Sequence, residues 1–197
     1  LKEWQGKDGA FVPSEKTCIV YGNAALQSIA EAFAADWKEM FGNALQVKAG
    51  KPQAGDFYLT LKKDKKLGKE GYAIAVAKYV TVSAPETTGV YWATRTLLQI
   101  GEQSDNHALP HGTVRDWPDY SVRGFMMDCG RKFIPMAYMR DLVKMMSYYK
   151  MNVLQVHLND NGFKQFFGHD WSKTYAAFRL ECETFPGLTA RDGYYTK

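Results

Sequence analysis

The chain of 197 residues has only three cysteines, Cys18, Cys129 and Cys182, and none stands at a Cys-x-x-Cys or other metal-ligand spacing. That excludes a zinc ribbon and a dithiol redox motif, and the odd count argues against a disulfide scaffold while leaving a single bridge open. No run of 18 apolar residues occurs, so nothing in the sequence reads as a membrane-spanning helix. Charge of one sign is also scarce. Lys and Arg number 25 against 21 Asp and Glu, a net charge of +4, nearly balanced on both sides of Trp117. A nucleic-acid-binding domain concentrates its excess in a patch or stripe. Here the one concentration is Lys62, Lys63, Lys65, Lys66 and Lys69, broken by Asp64 and Gly68, which reads as a solvated hairpin turn. No nucleic-acid partner is expected. The chain opens without Met and without a basic-then-apolar leader, so the N-terminus does not give the compartment.

What is present is enough apolar residue to build a core. Hydrophobic residues make up 46% and charged residues 23%, which excludes disorder as the overall state, and the length fits one large domain or two modest ones. Aromatics reach 14% and many fall in the loop-rich second half, favouring a surface on which sugar or base faces stack.

The two halves follow different patterns. In the first, Cys18–Tyr21 reads as a strand, and Asn23 caps a helix whose apolar positions Leu26, Ile29, Ala30, Phe33, Trp37 and Phe41 follow the 3.6 period up to Gly42. Strands are expected over 45–47, 57–61, 72–76 and 79–83, the last two joined by a tight turn at Ala77 and Lys78. A second helix runs from Thr88 to Ile100, with Gly101 as its stop. Together these predict a small α+β domain, an antiparallel or mixed sheet with helices on one face. The polar, turn-rich stretch 102–118 reads as a linker, which gives a domain with linker over 1–117 and a second domain over 118–197.

In the second half the order becomes strand, helix, strand. Val122–Asp128 is followed by a helix from Pro135 to about Lys150, with Met139, Leu142, Val143, Met146 and Tyr149 inward, and then by Asn152–His157. A β-α-β crossover of this length implies parallel neighbours. Polar residues collect just past the C-terminal ends of the two strands: Asp128 and Arg131 after the first, His157, Asn159, Asp160 and Asn161 after the second. In parallel α/β architectures that edge carries function. With strands about 4.8 Å apart, both clusters should face one cavity. The residues equally allow a local Asp128–Arg131 ion pair and a loop-capping Asp160. A metal site on His157 and Asp160 lacks a third ligand at a suitable spacing, so no metal is expected.

These residues also carry a resemblance. The run Val122-Arg-Gly-Phe-Met-Met-Asp-Cys-Gly-Arg-Lys-Phe-Ile-Pro135, the stretch 145–150, and Asn152-Val-Leu-Gln-Val-His-Leu-Asn-Asp160 resemble the opening of the catalytic barrel of glycoside hydrolase family 20, the β-N-acetylhexosaminidases. Phe178-Arg-Leu-Glu-Cys182, Phe185-Pro186, Leu188-Thr189 and Gly193-Tyr-Tyr-Thr-Lys197 look like the family's next loop. In the first half, Gly71-Tyr-Ala-Ile-Ala-Val76 and Thr88-Gly-Val-Tyr-Trp-Ala-Thr-Arg-Thr-Leu-Leu-Gln-Ile100 resemble the small α+β domain that precedes the barrel. The resemblance implies an α+β domain followed by the first β-α-β unit of an incomplete (β/α)8 TIM barrel.

By the same resemblance, Arg131 matches the arginine that holds hydroxyls on the far side of the terminal N-acetylhexosamine, a task suited to a planar fork of donors. Asp160 matches the first aspartate of the family's Asp-Asp pair, which belongs to a network reaching the catalytic acid, and His157 matches a histidine that shapes the pocket. The chain departs from the pattern at Asn161, where the second aspartate stands, at Gln155, where a histidine is frequent, and at Cys182, where a serine stands. Family enzymes use substrate assistance: the 2-acetamido oxygen attacks the anomeric carbon while an adjacent Asp-Glu pair orients it and donates the proton. No Asp-Glu dipeptide occurs in this chain. A (β/α)8 barrel takes about 250 residues, far more than follow Trp117. The expectation is the N-terminal portion of a longer glycosidase, inactive alone and needing no cofactor. Its partner would be a glycan or glycoconjugate with a terminal N-acetylhexosamine, in an extracytoplasmic setting. The alternative is a non-catalytic carbohydrate-binding or scaffolding module.

Overall fold

A computed structural model describes residues 1–161, 163–170 and 176–196. The chain divides into two compact units, Leu1–Ser121 and Val122–Lys197. Lys197, which ends the last run quoted above, lies outside the described residues.

The first unit is a seven-stranded mixed sheet with two helices. Its strands are β1 (Glu3–Phe11), β2 (Cys18–Tyr21), β3 (Gln46–Ala49), β4 (Phe57–Leu61), β5 (Tyr72–Val76), β6 (Val80–Ala84) and β7 (Leu109–Asp116). Helix α1 (Gln27–Phe41) lies between β2 and β3 in sequence, and α2 (Thr87–Glu102) between β6 and β7. Across the sheet the order is β1-β7-β5-β6-β4-β2-β3. The pairs β2/β3, β2/β4 and β4/β6 are parallel, and the pairs from β6 out to β1 are antiparallel.

The periodic signal behind α1 is its packing. Ala30, Phe33 and Trp37 are wholly buried, and Trp37 meets Phe33 and Phe41 edge to face at 5.7 and 4.6 Å, an arrangement aromatic quadrupoles favour. A short 3-10 turn, Ala24–Leu26, leads into the helix, and the Asn23 side chain accepts from the Ala25 amide at 2.9 Å. Gly42, at φ 80°, ends it with its amide on the Lys38 carbonyl. Removing that N-terminal cap should cost about 1 kcal/mol. Asn23→Ala is therefore expected to lower the urea midpoint of the first unit, and an unmoved midpoint would remove Asn23 as a cap.

A polar trio, with Tyr72 and Thr96 buried and Asp116 half-buried, ties three elements of this unit. The Tyr72 hydroxyl lies 2.6 Å from Thr96 Oγ1 on α2 and donates to Asp116 Oδ2 on β7 at 2.7 Å. Burial first, and then the Asp116 carboxylate, push the Tyr72 phenol far up, so it stays a donor at any ordinary pH.

The structure corrects three readings of this half and adds one strand that the sequence analysis did not assign. Residues 102–118 are not simply a linker, because Leu109–Asp116 is the strand β7, with Leu109 and Val114 in the core. Pro110, His111 and Gly112 disguise it, and it is held by pairing with β5 on one side and β1 on the other. Strand β1 itself has no apolar alternation, since eight of its nine residues are exposed on an edge, and its register shifts between Gly6 and Ala10. The lysine-rich stretch is not a hairpin turn, because β6 lies between β4 and β5; Leu67 anchors it in the interior, and Asp64 meets Arg115 at 2.7 Å. Gly101 does not stop α2 but lies within it, where a Cβ would come 3.3 Å from the Phe41 ring.

The second unit begins with β8 (Gly124–Asp128), α3 (Met136–Tyr148) and β9 (Val153–His157), and β8 and β9 are parallel neighbours. Pro135 occupies the N-cap position of α3. After α3, β10 (Asn159–Asn161) pairs antiparallel with β11 (Ala176–Phe178). The inward face of α3 is narrower than its periodicity implied: Met139 and Met146 are buried, but Val143 is 50% and Tyr149 66% exposed. A sheet two strands wide covers only one stripe of a helix. No helix among the described residues is long and apolar enough to cross a membrane.

Candidate functional site

Strands β8 and β9 end level with each other. Asp128 and His157 are partners in register, and the amides of Cys129 and Gly130 both donate to the His157 carbonyl at 2.9 Å. Two parallel strands that stop at one level deliver their next residues to one place.

Asp128 then folds the chain back on itself. Its Oδ1 accepts from the Arg131 amide at 3.0 Å and its Oδ2 from Arg131 Nη1 at 2.7 Å. Arg131 Nη2 reaches Asp160 Oδ2 at 2.8 Å, and that same oxygen lies 2.8 Å from His157 Nε2. The Phe163 ring faces the guanidinium at 5.2 Å. Asp128, Arg131, Asp160 and His157 thus form one continuous polar chain across both strand ends. The local ion pair and the grouping of both clusters in one site occur together. Asn159 goes elsewhere, lining a cavity of about 440 Å³ with Arg179, Glu181 and Cys182, and Asn161 takes part through its backbone pairing with Ala176.

Close approach of the backbone makes this chain of contacts feasible. A Cβ on Gly130 would lie 2.7 Å from the Asn159 carbonyl carbon and 2.7 Å from the Asp160 nitrogen. Only glycine lets the turn after β8 press against the start of β10, and that contact sets the reach from Arg131 to Asp160.

Burial pushes the Asp128 carboxyl up, but the side-chain and backbone hydrogen bonds of Arg131, with the charges of Arg131 and His157, outweigh it and hold it below the usual carboxylate value. The Asp128 hydrogen bond, with the Asp160 and Asp128 charges, raises the Arg131 guanidinium further. Because the folded Asp128 value lies below the unfolded one, its contribution to stability is complete above about pH 3.9 and is lost as pH falls through the folded value. Asp128→Asn removes that dependence. Urea midpoints taken from pH 6 to pH 2.5 should fall less steeply for Asp128→Asn than for the parent chain; equal slopes would contradict the pairing.

Arg179 lies in the run Phe178-Arg-Leu-Glu-Cys182, where the resemblance assigns it no role. Arg179 is 1% exposed, an unusual place for arginine. Its Nε donates to the Cys129 carbonyl at 2.7 Å, Nη1 to Asp192 Oδ1 at 2.6 Å and to the Gly193 carbonyl at 2.9 Å, and Nη2 to the Gly130 carbonyl at 3.2 Å. A lone arginine between Phe178 and Leu180 was the available signal. Tyr195 donates to the Ile134 carbonyl at 2.7 Å, and burial, followed by Cys129, pushes its phenol up to about 12. Among the described residues no three His, Cys, Asp or Glu side chains gather as a metal site.

Comparison with known proteins follows the same division. Residues 1–117 match the family model described as glycosyl hydrolase family 20, domain 2, and residues 120–197 match glycosyl hydrolase family 20, catalytic domain. The chain is 28% identical over 137 residues to a beta-hexosaminidase of Vibrio furnissii, covering 68% of this chain and 20% of that protein. It is 26% identical over 192 residues to a beta-hexosaminidase of Porphyromonas gingivalis, covering 92% of this chain and 23% of the relative. Among solved structures, the Streptomyces plicatus N-acetyl-beta-hexosaminidase in complex with Thio-NAglucal superposes with a TM-score of 0.77 at 22% identity, over 98% of this chain and 40% of that one. The chain therefore spans about a quarter or less of the curated relatives' length.

Proposed function

Because the chain belongs to glycoside hydrolase family 20, we propose that it is the opening part of a β-N-acetylhexosaminidase that removes terminal β-linked N-acetylglucosamine or N-acetylgalactosamine from glycans. The β8-α3-β9 unit is then the start of a (β/α)8 barrel, and the exposed apolar side of α3 is where later barrel elements pack. An extracytoplasmic location goes with a glycan substrate.

The observation that carries this reading is the Asp128–Arg131–Asp160–His157 chain at the C-terminal ends of two parallel strands, the edge on which such barrels place their chemistry. Arg131 binds hydroxyls of the terminal sugar. Each of its terminal nitrogens carries two hydrogens, so a carboxylate on each still leaves a donor edge for a sugar. The two carboxylates fix the fork, which reduces the ordering needed when substrate arrives. Asp160 and His157 extend this support toward the general acid.

The remaining chemistry is substrate-assisted. The acetamido oxygen of the substrate displaces the leaving oxygen at the anomeric carbon, an Asp orients the acetamido group, and the adjacent Glu gives its proton to the leaving oxygen. Water then opens the cyclic intermediate with the same Glu as base, so configuration is retained. That Asp-Glu pair has no counterpart in this chain and belongs to the rest of the full-length protein.

Hydrolysis of an aryl β-N-acetylglucosaminide tests the reading. The full-length protein should release the aryl alcohol and give the β-anomer first, while the 197-residue chain should not exceed a mock preparation, since it lacks general acid assistance worth about 10² to 10⁴-fold and most of the pocket. A full-length protein that binds such glycans without turnover would favour the non-catalytic module.

A further inference from the structure

We infer that Arg179 is a positioning residue, which sets the placement of the Arg131 guanidinium by clamping the two peptide groups that precede it. The inference rests on the proposed role of Arg131 in holding the terminal sugar.

The clamp can be followed atom by atom. In the peptide joining Cys129 to Gly130, the carbonyl accepts from Arg179 Nε at 2.7 Å and the amide donates to the His157 carbonyl at 2.9 Å. In the next peptide, joining Gly130 to Arg131, the carbonyl accepts from Arg179 Nη2 at 3.2 Å and the amide donates to Asp128 Oδ1 at 3.0 Å. Both planes are held at both ends, which fixes the Arg131 Cα and the direction in which its side chain leaves the backbone. Without Arg179 the carbonyl side of each plane loses its donor.

Arg179 also connects the two strand ends. Its own amide donates to the Leu158 carbonyl at 2.9 Å, directly before Asn159 and Asp160, and its carbonyl accepts from the Tyr195 amide. One residue thereby anchors the β9–β10 junction through its backbone and the turn after β8 through its side chain. Asp192 supplies the compensating charge on the far side, from a side chain that is 54% exposed. A planar fork is needed here, because donors must reach two successive carbonyls and a carboxylate in fixed directions. Lysine keeps the charge and loses that geometry.

A misplacement of about 1 Å at a substrate-binding group costs up to about a hundredfold, so the clamp should be visible in kinetics as well as in local opening. Two variants of the full-length protein test it: Arg179→Lys, and the milder Asp192→Asn, which leaves Arg179 in place and weakens its anchor. Amide hydrogen exchange at Cys129, Gly130 and Arg131 should accelerate by roughly tenfold or more, with the amides of α3 unchanged. In turnover of an aryl β-N-acetylglucosaminide, Arg179→Lys should raise KM by roughly tenfold with a smaller change in kcat. In an Arg131→Ala background the same substitution should cost nothing further, because the group being positioned has gone.

Unchanged exchange at the three amides overturns the inference, and so does an increase shared equally with α3, which would report general loosening. An equal penalty from Arg179→Lys with and without the Arg131 side chain also overturns it. If the full-length protein turns over no hexosaminide, the enzymatic reading fails and the exchange pattern alone decides whether Arg179 holds the Arg131 turn.

Discussion

Arg131→Ala in the full-length protein is expected to lower kcat/KM for an aryl β-N-acetylglucosaminide by roughly ten- to a hundredfold, the worth of a charge-assisted hydrogen bond of about 1.5 to 3 kcal/mol. The alanine variant also leaves Asp128 and Asp160 without the guanidinium that each meets at 2.7 to 2.8 Å. Part of the loss will therefore appear as lower stability, and the two effects must be separated. Arg131→Lys separates them. It retains a cation between the carboxylates but not the bidentate edge, so thermal stability should recover more fully than kcat/KM. Recovery of both to the parent level would make Arg131 an ion-pair partner only, and an unchanged kcat/KM in Arg131→Ala would do the same.

The second large effect is expected at Asp160. A single oxygen, Asp160 Oδ2, meets both Arg131 Nη2 and His157 Nε2 at 2.8 Å. Asparagine keeps the shape, but its amide presents one oxygen and one NH2 group, so it cannot serve two donors through the same atom with a full negative charge. Asp160→Asn in the full-length protein should reduce kcat/KM on natural glycosides by roughly tenfold or more. The sign of its pH effect follows from the charge removed. A nearby carboxylate raises the pKa of the general acid, so removing it lowers that pKa, and the alkaline limb of kcat/KM moves to lower pH. Aryl glycosides with good leaving groups need less protonation and should lose less. An alkaline limb that stays in place, with equal losses on both substrate classes, would reduce Asp160 to a support for Arg131.

How much of this was legible before the structure depended on whether the signal was local. Helix α1 was, because its apolar period, its Asn23 cap and its Gly42 stop all lie within the segment. The parallel pairing of β8 and β9 was, because a crossover helix leaves little alternative. Strands β1 and β7 were not: Glu3–Phe11 gains its extended form from a partner about a hundred residues away, and Pro110 and Gly112 read locally as turn residues. The same distinction holds at the site. Asp128, Arg131, His157 and Asp160 sit in sequence at strand ends, where polar residues stand out. Arg179 lies 50 positions from Cys129, whose carbonyl it binds, and nothing in the sequence near it announces that bond. Gly130 was legible as part of a motif, but its role comes from the backbone of Asn159 and Asp160.

The central claim is that the polar chain across the ends of β8 and β9 forms one wall of a terminal-sugar site. A crystal structure of the full-length protein with N-acetylglucosamine bound tests it most directly. The account predicts an Arg131 terminal nitrogen within about 3.2 Å of a sugar hydroxyl, with Asp160 still bridging Arg131 and His157. A sugar bound elsewhere, with Arg131 contacting only Asp128 and Asp160, would contradict it.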